Sequence, residues 1–168
     1  SSIASDTVVI DTVPPDAIFT IAPSPEADAP GYTRSALITL ERSVREEPHG
    51  GFVRVRVANS AAELTNATFA VLPSQGCGTG RCESSTLWSL DARENGSRTV
   101  HVEFEDAAGN RGQVQTASIV FDDIPPAVTF THAGPSPTNA SNVPLTIFAT
   151  DAGGLATFPL TLGEDSLF

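Results

Sequence analysis

Two stretches of this chain are copies of one block. Residues 7–22 read TVVIDTVPPDAIFTIA, and residues 118–133 read SIVFDDIPPAVTFTHA. Aligned without gaps, Val9, Asp11, Pro14, Pro15, Phe19, Thr20 and Ala22 match Val120, Asp122, Pro125, Pro126, Phe130, Thr131 and Ala133, so the proline pairs stand 111 residues apart. The likeness continues outward: APSP at 22–25 returns as AGPSP at 133–137, and ALITLE at 36–41 faces LTIFAT at 145–150. A period of this size is that of one all-β sandwich domain, which points to modules in tandem.

The block has a mechanical logic. An alternating, β-branched run before the proline pair reads as a last strand, and the apolar alternation after it reads as a first strand. Proline fixes its own φ and donates nothing to a ladder, so the pair ends one strand and stiffens the passage to the next. The expected division is the C-terminal strand of a preceding module at 1–13, a complete module at 14–124, and the N-terminal part of a following module at 125–168. The chain has no Met and begins and ends abruptly, which reads as an internal piece of a longer polypeptide.

Within the middle module the spacing predicts strands near 17–22, 35–41, 52–58, 67–72, 85–90, 98–105 and 113–121. FVRVRV and VHVEF alternate apolar and charged residues as half-buried strands do. Phe52 breaks that alternation and marks where its strand begins. Between the strands lie turn-rich stretches such as REEPHGG, ARENGS and DAAGNRG. No stretch shows a 3.6-residue apolar period, so no helix is expected. Trp88, inside the apolar run STLWSL, reads as core rather than as a ligand-stacking ring, the other use open to it and to Tyr32.

The formal charge is −11, from 20 acidic against 9 basic residues, and every basic residue is Arg. Such a chain repels nucleic acid and anionic lipid alike. No apolar run approaches the ~20 residues of a membrane span, so direct membrane insertion is not expected. Cys77 and Cys82 bracket a short Gly-containing loop. A disulfide, two free thiols and half a metal site are the open readings. Zinc needs about four ligands and no second pair of Cys or His lies near, so a disulfide is the expectation, and with it an oxidising compartment.

The run NGSRTVHVEFEDAAGNRGQVQTASIVFDDIPP at 95–126 resembles the bacterial-type Ig-like repeats of large surface proteins and adhesins, sandwich modules related in shape to fibronectin type III. Gly96, Ser97, Arg98, Thr99 and Val100 match that family's first strand motif. Asp106, Ala107, Ala108, Gly109 and Asn110 match its turn, and Asp122, Pro125 and Pro126 its ending, which Asp11, Pro14 and Pro15 repeat upstream. The Cys-containing insert after Pro73 departs from the family pattern. The resemblance implies immunoglobulin-like sandwiches at a cell surface, in stalks, filaments or adhesins.

Candidate sites are few. Asn66, Asn95 and Asn139 each open an N-x-Ser/Thr sequon, which in a secreted eukaryotic protein accepts a glycan. Asn95-Gly96 is also a plain hairpin-turn signal. Asp11, Asp16, Asp106, Asp122 and Asp123 cluster at the module junctions and are the calcium candidates, though solvated turn acids are the commoner outcome and no dense ligand run is present. Otherwise no cofactor is expected. His49, His101 and His132 lie far apart without a triad context, and the alternating Glu103 and Glu105 read as exposed, solvating acids. No catalytic motif is present, so the expectation is a structural or adhesive extracellular module. Its expected partners are neighbouring modules, copies of itself, other surface proteins or glycans. The alternative is a glycan- or protein-binding module using the loops at one end.

Overall fold

The computed structural model describes residues 6–8, 10–22, 30–45, 53–72, 81–132 and 144–151. The sequence-based expectations for Phe52, His49, Cys77 and Asn139 lie outside them. The described chain is built mainly of β-strands and divides into two compact units, 1–122 and 123–168.

In the first unit, β1 (Asp16–Ile21), β3 (Leu37–Arg45) and β6 (Arg81–Ser89) form one antiparallel sheet in the order β1-β3-β6. A second sheet runs β2-β8-β7-β4-β5, from β2 (Tyr32–Thr33), β4 (Arg54–Ala58), β5 (Ala70–Val71), β7 (Gly96–Glu105) and β8 (Gln115–Phe121). Side chains alternate faces along a strand, and the burial follows that period: on β3, Ile38, Leu40 and Val44 are buried while Leu37, Glu41 and Arg45 are exposed. One core joins both sheets, with Phe19, Leu40 and Val44 from the first and Val55, Val100, Val102, Phe104 and Ile119 from the second. Trp88 packs against its edge half-buried, and its Nε1 donates to Asn59 Oδ1 at 2.8 Å. Tyr32 lies at the sheet margin, 38% exposed.

The strand rhythm matches the sequence at most positions, and the differences fall at β2, at α1, at β5 and in the strand expected within 1–13. A short helix α1 (Ala61–Asn66) follows β4, capped by Ser60, whose Oγ accepts the Glu63 N–H at 3.2 Å. Its six residues bury only Leu64, too few for an apolar period to register. The strand expected at 67–72 shrinks to the two residues of β5. Residues 6–8 and 10–15 carry no strand.

In the second unit, β9 (Ala127–His132) and β10 (Leu145–Thr150) form an antiparallel hairpin. β9 corresponds residue for residue to β1 at the 111-residue spacing. Its pairing places Val128 opposite Ala149 and Phe130 opposite Ile147, much as Ala17 faces Val44 and Phe19 faces Arg42 in the first unit. Phe19 is buried, whereas Phe130 is 75% exposed.

Candidate functional site

The turn at 106–110 draws together more of the singled-out residues than any other described part of the chain. β7 ends at Glu105, and the backbone reverses through Asp106-Ala-Ala-Gly-Asn110. Asp106 N–H donates to the Asn110 carbonyl at 3.1 Å, and Gly109 N–H donates to the Asp106 carbonyl at 3.3 Å. Gly109 stands at φ 92°, a conformation glycine adopts without a Cβ penalty. The Asp106 carboxylate is 1% exposed and fully engaged: Oδ1 accepts the Asn110 N–H and Oδ2 accepts Asn110 Nδ2, both at 2.8 Å. A buried carboxylate persists only with such donors.

The same Asn110 amide reaches outside its own turn. Nδ2 donates to the Asp11 carbonyl at 3.2 Å and lies 3.5 Å from the Val13 carbonyl. The Val13 N–H in turn donates to Asp11 Oδ1 at 3.0 Å, an Asx-type turn just before the proline pair. Pro15 is buried, and Gly112 leaves its carbonyl room: a Cβ there would stand 4.0 Å from it. The segment leading into the first unit is therefore held through its backbone by the Asp106–Asn110 turn.

Charges brace the strands beside this turn. On the outer face of the second sheet, Arg54 lies opposite Glu105 and Arg56 opposite Glu103. Arg54 pairs with Glu105 at 2.6 Å, Arg111 pairs with it at 2.7 Å, and Arg56 pairs with Glu103 at 2.5 Å. The hydrogen bond to Glu105, with the field of Glu105 and Glu103 behind it, holds the Arg111 guanidinium above its ordinary pKa. Arg56 and Arg111 both lie near the Phe69 ring, at 4.8 and 5.2 Å from its centre. Glu103 and Glu105 are thus buried, at 8% and 6% exposure, rather than exposed as the alternation suggested. Strand alternation shows which residues share a face, and it does not show that an aromatic ring and three Arg side chains cover that face.

At the far end of β8, Asn95 Nδ2 donates to Asp122 Oδ1 at 2.6 Å, and the Asp122 N–H donates to the Thr33 carbonyl at 2.9 Å.

The calcium candidates are thereby separated. Asp11 and Asp106 meet through Asn110. Asp122 sits with Asn95 at the opposite end of β8, Asp16 pairs with Arg81 at 2.6 Å, and Asp123 is exposed. Asp11 Oδ2 is buried and has no hydrogen-bond partner. Among the described residues no three His, Cys, Asp or Glu side chains are grouped to hold a metal. Asn66 lies exposed at the end of α1, and Asn95 is half-buried. Cys82 is half-buried on β6, opposite Val44. His101 on β7 and His132 at the end of β9 belong to different units.

The role of Asn110 escaped the sequence reading, although the residue stood in the quoted motif. Its partners lie almost a hundred positions upstream, and only the fold brings them near. No family model, curated protein or solved structure matches the chain.

Proposed function

We propose that the chain is a segment of an extracellular tandem-module protein, with immunoglobulin-like sandwiches acting as stiff spacers in a surface stalk, filament or adhesin. The observation that carries this reading is the hold on the Asp-x-x-Pro-Pro segment. A linker that served only to join would be left to solvent. Here its carbonyls are taken by Asn110, its Pro15 is buried, and its sequence recurs at Asp122, Pro125 and Pro126. In this reading each module grips the segment that leads into it and so limits bending at the junction. The repeated strand, β1 and then β9, is the second support.

The role is structural and assembly-directed, and no catalytic step belongs to it. Cys77 and Cys82 form a disulfide in this reading, which suits an oxidising surface environment. Partners are neighbouring modules and other surface proteins or copies of the same chain. A glycan on exposed Asn66 is a subsidiary part of the proposal.

Electron microscopy of the parent polypeptide tests the reading: a row of globules with little bending at the junctions is expected, and flexible beads on a string would overturn it. Surface labelling of intact cells tests the location. Intact mass before and after reduction with alkylation tests the disulfide, and glycosidase treatment tests the glycan.

A further inference from the structure

Arg42 stands in the wrong place for an arginine. It occupies the face of β3 that carries Ile38, Leu40 and Val44 toward the second sheet, and it is 8% exposed. Its strand neighbours are Phe19 on β1 and Ser84 on β6. Among the described residues it makes no hydrogen bond, ion pair or ring contact, and its Nε is a buried donor without a partner. Arg54 and Arg56 offer no parallel, because they lie on the outer face of the second sheet and are paired. A guanidinium always carries its charge, so burial does not neutralise it. Burial draws its pKa down, which is the mark of a charge stripped of water and given nothing in return.

The surroundings fit a missing partner of one kind. Ser84 lies directly across from Arg42, and Thr86 lies two residues along the same face of β6. Both are half-buried, and neither hydroxyl has a hydrogen-bond partner among the described residues. A guanidinium fork and two hydroxyl donors on one face of the sheet make the donor set of a carboxylate-binding site. The route in is along β6, whose inward residues Cys82, Ser84 and Thr86 remain only half-buried. Arg42 also borders a shallow hollow with Ile18, Ser43, Glu41 and Glu83, but the two acids there repel anions, so that side is not the route.

We infer that Arg42, with Ser84 and Thr86, forms a carboxylate-binding site between the two sheets. The ligand is a small carboxylate, either free or carried on a sugar ring as in a uronic acid. Its binding supplies the counter-charge that the fold leaves out. The inference is independent of the tandem-spacer reading, since it concerns the interior of one unit.

The test uses the whole chain. Melting temperature is measured at constant ionic strength against acetate and against glucuronate, with glucose as the uncharged control, for the wild type, Arg42→Met and Ser84→Ala/Thr86→Ala. The wild type is expected to show a saturable rise of about 5 °C with at least one carboxylate once its concentration is roughly a hundredfold above the dissociation constant. Acetate alone marks a free carboxylate as the ligand, and glucuronate alone marks the sugar-borne one. Arg42→Met should melt higher than the unliganded wild type and lose the response. The hydroxyl double variant should weaken it several-fold. The Arg42 Nε–H resonance, followed by NMR in the same titrations, should shift with the same midpoint. Equal responses in the wild type and Arg42→Met, or an Arg42 resonance unmoved by both carboxylates, would overturn the site.

Discussion

Asn110 shows how much one side chain can carry. Its amide completes the coordination of a carboxylate that is 1% exposed and also holds the carbonyls of Asp11 and Val13. Asn110→Ala should destabilise the chain by about 2 kcal/mol, because Asp106 Oδ2 then lies buried without its donor. Urea unfolding measures it. The position also separates two roles. Asn110→Asp sets a carboxylate against that of Asp106, and repulsion between buried like charges makes it the worse of the two variants. An Asn110→Asp variant as stable as the wild type would mean the turn does not rely on the amide.

Glu103 and Glu105 make the second residue-scale contrast. They stand two apart on β7 with the same burial, but their arginines differ. Arg56 is 14% exposed, whereas Arg54 and Arg111 are 38% and 53% exposed. Glu103→Gln leaves Arg56 without its counter-charge in a dry position, at a cost of about 3 kcal/mol. Glu105→Gln lets both of its arginines turn into water, so the loss should be less than half as large. Chemical denaturation of the two variants orders them, and the reverse order would contradict this account of the ladder.

At the scale of elements, the strands that could be read from sequence were β1, β3, β4, β6, β7, β8 and, through the repeat, β9, with β6 beginning at Arg81, earlier than its expected start. Two residues of β2 are too short for any period, and they pair in parallel with Val120 and Phe121, a contact that only the fold brings about. The helix α1 was legible in another way. Ser60-Ala61-Ala62-Glu63 has Ser and Glu at the spacing of a helix N-terminus, and Ser60 Oγ does accept from the Glu63 backbone. That signal lies in a few polar residues and is lost when a sequence is searched only for apolar periodicity. Ser60→Ala should cost about 1 kcal/mol through the lost cap, while Glu63→Ala should cost less, because its N–H remains to be capped. Differential scanning calorimetry of the two variants checks the order. The junction was half legible. The Asp-x-x-Pro-Pro repeat and the Asp106–Asn110 turn are visible in the sequence, but their meeting is a tertiary fact.

At the scale of the whole chain, the repeat offers a comparison inside one molecule. Phe19 and Phe130 hold the same place in the same block, on β1 and β9. Phe19 is 7% exposed within a core drawn from two sheets, and Phe130 is 75% exposed on a two-stranded hairpin. Equivalent positions of the repeated block therefore meet opposite surroundings. Burial against a second sheet, rather than strand propensity, should decide what each ring is worth, since a lone hairpin is marginal in water. Phe19→Ala should destabilise the unit of residues 1–122 by about 4 kcal/mol, the range for a phenylalanine removed from a packed core. Phe130→Ala should leave that unit's unfolding unchanged to within about 0.5 kcal/mol. Native-state hydrogen exchange on the full chain tests both at once, with the β7 amides Val100 and Val102 reporting the first unit and the β9 amides reporting the hairpin. The hairpin amides should exchange far faster than those of β7 in the wild type. Only Phe19→Ala should accelerate β7. If Phe130→Ala slowed or quickened β7 as strongly, the 75% exposed ring would be bearing load for the first unit, and the two units would have to be treated as one cooperative structure.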